Sequence, residues 1–111
     1  MSELTFKRPE SILVLVYSRD NNVLLLNRCD PADYWQSVTG SLEWSESAPA
    51  AAQRELFEET ELIAGKPSEL IDLAQTNCFP ILPAWRARYD PAIDHNVEHV
   101  FAICLEVEIA V

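Results

Sequence analysis

A mixed α/β domain of the α+β type is the fold class this sequence predicts, and three features predict it. An aliphatic, β-branched run from Ile12 to Tyr17 reads as a buried strand. Ala48 to Thr60 reads as one well-marked helix, and Asn96 to Val111 reads as a final strand. No repeat, low-complexity segment or linker interrupts the 111 residues, so the expected organisation is a single domain over 1–111.

Taken in order, Ile12 to Tyr17 and Val23 to Leu26 flank Ser18-Arg19-Asp20-Asn21-Asn22, a turn-forming segment, and are expected to pair as a largely buried hairpin. Arg28 to Asp33, containing Pro31, is expected to be a loop. Trp35 to Leu42 is expected to be a short extended stretch broken at Gly40. The helix from Ala48 has Ser47 as its N-cap, and Pro49 falls in the first turn, where its missing N–H does no harm. Gly65, Lys66 and Pro67 punctuate the chain after it. Leu70 to Phe79 reads as another strand, ended by Pro80 and Pro83, and Asp90-Pro91 marks a turn. The last strand alternates Leu105, Val107 and Ile109 with Glu106 and Glu108. Because the chain stops within it, either an unpaired sheet edge or a missing element is expected, and an exposed final strand could pair across a homodimer.

Composition narrows the function classes. Hydrophobic residues make up 49% and charged residues 23%, as in ordinary globular proteins. The formal net charge is −10, from 18 acidic and 8 basic side chains. Such a surface argues against nucleic-acid polymers and anionic membranes as partners, since both are bound through excess Lys and Arg. A small anionic substrate remains compatible if metal ions stand between it and the carboxylates. Cys29, Cys78 and Cys104 are odd in number, widely spaced and without a C-x-x-C pair, which favours reduced thiols and a cytoplasmic setting. Met1-Ser2-Glu3-Leu4 has no basic start or long apolar core of a signal peptide.

On the helix, Glu55 and Glu59 are i, i+4 neighbours with Glu58 beside them, so the three carboxylates fall within roughly 100° of arc. Ala52 and Leu56 point elsewhere, towards a core. Like charges placed this way cost a helix a few tenths of a kcal/mol per pair. Arg54, i, i+4 before Glu58, is expected to offset part of that by pairing with Glu58, leaving Glu55 and Glu59 outward and without a basic neighbour on the helix. Hard oxygen ligands of this kind suit Mg²⁺ or Mn²⁺. Taken on its own, the helix reads rather as a solvated acidic face than as a metal site.

The wider spacing favours the first reading. Gly40, five residues, Glu46, seven residues, then Arg54-Glu55-Leu56-Phe57-Glu58-Glu59-Thr60-Glu61-Leu62 is similar to the Nudix box, G-x5-E-x7-R-E-U-x-E-E-x-G-U, where U is a bulky aliphatic residue. Every defined position matches except the second glycine, which is Glu61 here. The resemblance implies a Nudix fold, a mixed β-sheet packed against the box helix, in a chain that ends before that family's usual C-terminal helix. It further implies Glu55 and Glu59 as the principal metal ligands, with Glu58 as a further ligand or a partner of Arg54. Glu46 would orient the other carboxylates, and the backbone carbonyl near Thr39 and Gly40 would complete the shell. Glu61 falls where a glycine commonly takes a left-handed conformation.

Lys7-Arg8-Pro9, the Ser11-to-Tyr17 strand, Trp35 to Ser41 and Arg86-x-Arg88-Tyr89 look like the branch of bacterial Nudix pyrophosphatases that act on dihydroneopterin triphosphate or dATP. The implied reaction is Mg²⁺-dependent cleavage of a small nucleotide-like triphosphate to a monophosphate and pyrophosphate. Carried over, Lys7, Arg28 and Thr39 become candidates for binding phosphate or the head group, and Phe79, Pro80, Ile81 and Leu82 for lining the ring pocket. Phe79 or Trp85 could stack on the ring, or simply fill a core. His95 and His99 are spaced i, i+4, but with no further zinc ligands in view they read as strand-surface residues. A second reading is a catalytically silent Nudix module, shortened at its C-terminus, that binds a ligand or partner.

Overall fold

A computed structural model describes residues 6–18, 22–24, 26–29, 32–64 and 69–105. Four strands form the main sheet in the order β4-β1-β6-β5. They are β1 (Glu10–Ser18), β4 (Val38–Ser41), β5 (Leu70–Pro80) and β6 (His95–Leu105). β1 and β6 run parallel over nine paired positions, from Glu10↔Val97 to Ser18↔Leu105. The β1–β4 and β5–β6 pairs are antiparallel. A separate hairpin is made by β2 (Leu26–Cys29) and β3 (Ala32–Gln36).

One helix, α1 (Ala48–Thr60), lies on the β1 and β4 side of the sheet. Strand alternation turns Ile12, Val14 and Val16 of β1 towards it, level with Val38 of β4 and Phe101 and Ile103 of β6. Leu56, Ala51 and Ala52 close the other side of this core, all fully buried. The two alanines bring the helix backbone close to the sheet, and each buried aliphatic side chain contributes about 1.5–3 kcal/mol. The helix occupies the residues expected, and the Ser47 Oγ caps it by accepting from the Ala50 N–H at 3.3 Å. Among the described residues no helix is long and apolar enough to cross a membrane.

Several sequence expectations need correction. Val23 pairs antiparallel with Tyr17, flanked by the Ser18 N–H to the Asn22 carbonyl at 2.9 Å and the Leu24 N–H to the Val16 carbonyl at 2.8 Å, so among the described residues the expected hairpin is present but short. β6 occupies one side of β1 along its length and β4 takes the other as far as Val14, which confines this pairing to Val16–Ser18. Arg28 and Cys29 lie in β2, and Ala32 and Asp33 in β3, so the expected loop is largely a hairpin. The extended stretch breaks at Ser37 rather than at Gly40, which sits inside β4 with ordinary extended backbone. β5 continues through Pro80 and carries a bulge between Asp72 and Gln75. There Ala74 adopts φ 54° and its N–H is held by Asp72 Oδ1 at 2.8 Å. A 3-10 helix over Pro83–Arg88 was not expected. β6 is central, with partners on both edges, so its described part offers no free edge for a second copy. The remainder of the expected strand, residues 106–111, lies outside the described residues, as do Gly65, Lys66 and Pro67.

Glu61 stands at the helix C-cap with φ 64° and ψ 12°, its N–H donating to the Phe57 carbonyl at 2.7 Å. A side chain in this left-handed region costs about 1 kcal/mol that glycine does not incur. Replacing Glu61→Gly is expected to raise stability by about 0.5–1 kcal/mol in urea unfolding; an unchanged or lower midpoint would show that the cap is unstrained.

Candidate active site

The site is built outward from Arg54, on the exposed shoulder of α1. Its guanidinium has five N–H donors, and all are used. Nε donates to Glu46 Oε2 at 2.7 Å and Nη2 to Glu46 Oε1 at 2.8 Å, a two-pronged pair. Nη2 also reaches the Ser41 carbonyl at 3.1 Å, tying helix to β4. Nη1 donates to Glu55 Oε2 at 2.9 Å and, at the longer 3.4 Å, to Glu58 Oε1. The expected pairing with Glu58 is thus the weakest of the set. Arg54 instead selects Glu46, eight residues back, because the loop carries that carboxylate into the plane of the guanidinium.

The loop is itself fixed. Glu46 Oε1 accepts the Glu43 N–H at 3.0 Å. Arg8 Nη1 donates to the carbonyls of Glu43, Trp44 and Glu46 at 2.8–3.0 Å, and its Nε to Glu10 Oε1 at 2.6 Å. Glu10 Oε2 meets His99 Nε2 at 3.0 Å, so the network runs from β6 to the helix. Trp44 Nε1 donates to the Phe6 carbonyl at 2.7 Å. Sequence reasoning assigned no role to Arg8, Glu10 or His99. Apart from the Arg8–Glu10 contact, their partners are distant in sequence and nothing local marks them.

Glu55 does not face outward, contrary to expectation. Its side chain is 14% exposed, bonded to Arg54 and lying against Gly40. A Cβ at Gly40 would overlap the Glu55 carboxylate, so the glycine is required for close approach rather than for a special φ. Burial, reinforced by the charges of Glu58 and Glu59, pushes the Glu55 carboxyl above its usual value despite Arg54. Glu46 goes the other way, held down to about 2 chiefly by its hydrogen bonds from Arg54. Glu58 and Glu59 stand in solvent. Among the described residues no three His, Cys, Asp or Glu side chains converge closely enough to hold a metal ion. The expected set of Glu55, Glu58 and Glu59 is therefore not assembled as a triad, because Glu55 turns inward while the other two project outward.

The remaining candidates divide between two places. Lys7 lies at the end of the 3-10 helix: its backbone N–H donates to the Arg88 carbonyl at 2.8 Å, and its Nζ sits 5.7 Å from the centre of the Tyr89 ring. Burial and Arg88 lower its pKa, while Glu55 acts in the opposite direction. Thr39, between Val38 and Gly40 on β4, faces the other side of the sheet, with Leu13. Register carries that face across to Glu98, Asn96 and Phe79. Asn96 Nδ2 donates to Ser11 Oγ at 2.8 Å and Asn77 Nδ2 to Glu98 Oε1 at 3.3 Å on that face. Thr39 and Phe79 thus share a face but lie three strand spacings apart, roughly 14 Å across the sheet, and four residues apart along it. Phe79, Pro80, Leu82 and Trp85 are exposed, whereas Ile81 is buried, its N–H bonded to the Asp94 carbonyl at 2.9 Å. Arg28 pairs with Tyr34 through its backbone, and its side chain lies outside the described residues. His95 and His99 bond Asp94 and Glu10 respectively. Cys78 and Cys104 are free thiols.

The model of the NUDIX domain matches residues 7–110. Dihydroneopterin triphosphate diphosphatase of Escherichia coli K12 is 44% identical over 110 residues, covering 97% of this chain and 73% of that protein. The diphosphatase of the same name from Haemophilus influenzae is 41% identical over 107 residues, covering 95% of this chain and 68% of its own. Among solved structures, the E. coli dihydroneopterin triphosphate pyrophosphohydrolase superposes with a TM-score of 0.84 at 43% identity, over 96% of this chain and 75% of that one. A Listeria monocytogenes protein described as a NUDIX hydrolase gives 0.70 at 26% identity, over 93% and 71%.

The opposed shifts of Glu46 and Glu55 make a prediction about stability. A carboxyl lowered on folding stabilises above its ordinary value of 4.5, and that contribution is lost as pH falls towards about 2. A carboxyl raised on folding has the opposite effect: its charged form opposes folding at neutral pH, and protonation on acidification relieves this. In chelator at pH 7, urea unfolding of Glu46→Gln is expected at a lower midpoint than wild type and that of Glu55→Gln at a higher one. Equal losses in both would show that Glu55 is structural.

Proposed function

The chain belongs to the NUDIX family and is a hydrolase of that family, and on that premise we propose that it cleaves a small nucleotide-like triphosphate, dihydroneopterin triphosphate before dATP, to the monophosphate and pyrophosphate. The observation that carries this reading is the Arg54 hub, which holds the half-buried Glu55 beside Gly40 with Glu58 and Glu59 on the same helix face. The names of the E. coli and H. influenzae relatives support the choice of substrate.

Mg²⁺, or Mn²⁺ in its place, is the proposed cofactor. The donor chemistry fits: Glu55 carries charge that burial and like-charged neighbours disfavour, and a hard divalent cation would offset it. Glu55 and Glu59, one turn apart, would hold the ion, with Glu58 as a further ligand once its exposed side chain turns inward. When bound, the ion supplies neutralisation of the phosphate charge and activation of water. Glu46 holds the Arg54 guanidinium in place, and Arg54 keeps the Glu55 carboxylate from rotating away. Lys7 would bind phosphate, while Thr39 on the far sheet face would meet the substrate only where it wraps the β4 edge, and Phe79, on β5 at the opposite edge, only where the substrate reaches across that face. The partner is thus a small triphosphate rather than a polymer, and the free thiols suit a cytoplasmic setting.

Pyrophosphate release from dihydroneopterin triphosphate and from dATP tests this, with and without Mg²⁺, in wild type and Glu55→Gln. The expected outcome is Mg²⁺-dependent release, reduced at least about a hundredfold by the substitution and faster with the pterin substrate. No release from either substrate in Mg²⁺ would contradict the proposal.

A further inference from the structure

We propose that the Arg88 guanidinium and the Lys7 ammonium together form an anion-binding subsite that takes the terminal phosphates of a polyphosphate chain. The inference rests on the triphosphate reading above and adds a residue and a division of labour to it. Cations are scarce in this chain, eight against eighteen acidic residues. Those whose side chains are described are mostly committed. Arg54 spends every donor on Glu46, Glu55, Glu58 and Ser41. Arg8 is spent on Glu10 and three loop carbonyls. Arg86 donates to the Pro91 carbonyl. Arg88 is exposed and makes no side-chain hydrogen bond or ion pair among the described residues.

An idle arginine on a strongly acidic protein would ordinarily be drawn to a carboxylate. Arg88 is instead held next to another cation. The backbone fixes this: the 3-10 helix ends at Arg88, the Tyr89 N–H closes it on the Arg86 carbonyl at 3.1 Å, and the Lys7 N–H closes on the Arg88 carbonyl at 2.8 Å. The Lys7 ammonium lies over the ring of Tyr89, which is itself buried and so cannot yield. Two neighbouring cations favour an anion between them, and neither side chain is paired with a carboxylate among the described residues, while Glu55 is already engaged by Arg54. The exposed, unbonded Arg88 guanidinium therefore leaves this pair able to take an external anion. A terminal phosphate, the most highly charged part of a triphosphate, matches it: Arg offers a planar fork and Lys a point charge.

The test uses inorganic pyrophosphate as the probe, titrated calorimetrically into the whole protein in Mg²⁺, with dAMP as the comparison ligand. Arg88→Gln is expected to weaken pyrophosphate binding about tenfold, as loss of a charge-assisted hydrogen bond does. Arg88→Lys should retain most of the affinity, and dAMP should bind all three proteins alike. In turnover, Arg88→Gln should raise KM for the triphosphate by a similar factor while kcat stays within about twofold. Because Arg88 is exposed and unbonded, neither variant threatens the fold. Pyrophosphate affinity unchanged in Arg88→Gln, absent in wild type, or lost in parallel with that for dAMP would overturn the subsite. Arg88-dependent pyrophosphate binding by a protein that hydrolyses neither triphosphate would leave the subsite standing and refute the functional reading instead. Hydrolysis with Arg88→Gln indistinguishable from wild type would do the reverse.

Discussion

The fork between Arg54 and Glu46 is the interaction on which the site depends. One guanidinium joins the loop through Glu46, the sheet through the Ser41 carbonyl and the helix face through Glu55. A planar, permanently charged group with five donors can make three such attachments at once, and a lysine cannot. Removing one partner from a largely desolvated pair of this kind costs on the order of 3 kcal/mol, most of it from the charge left behind. The anchor extends outward, since Arg8 holds the carbonyls of the same loop and is in turn held by Glu10 and His99.

This arrangement sorts the carboxylates by environment. Glu46 is satisfied on both oxygens and stays ionised well into acid, so it acts as a fixed counter-charge. Glu55 has one donor, little solvent and two acidic neighbours, so its charge is held at a cost. Gly40 and Glu61 add to the same pattern. The first leaves out a side chain to admit the Glu55 carboxylate, and the second accepts a left-handed backbone to end the helix just past Glu59. Local rules are broken where function is proposed to lie, and the core of Ile12, Val14, Leu56 and Phe101 supplies the compensating stability.

What the sequence disclosed and what it withheld divide along the range of the interactions involved. The helix, its Ser47 cap and the left-handed position at Glu61 were legible because each is decided within a few residues. The box spacing placed Gly40, Glu46, Arg54 and Glu55 in one neighbourhood without giving their pairing. Helical geometry pointed Arg54 at Glu58, whereas the folded loop delivers Glu46. The β2–β3 hairpin was missed because Pro31 and its polar neighbours between Arg28 and Asp33 read locally as a loop, while the pairing of Leu26–Cys29 with Ala32–Gln36 is a matter of register. That Thr39 and Glu55 look out from opposite sheet faces follows from register parity, which is defined only once the strands pair. Arg88 had been noticed only as part of a motif; its isolation from any carboxylate is visible only with the side chains in place.

The central claim is that Glu46 acts on the proposed cation through Arg54, by keeping Glu55 in position. Mn²⁺ affinity measured by electron paramagnetic resonance in wild type, Arg54→Lys, Glu46→Gln and the double variant tests it directly. Each single change is expected to weaken binding by about tenfold or more, and the double change by no more than either alone, because both break one fork. Wild-type affinity in the single variants, or losses that simply add in the double, would contradict the account.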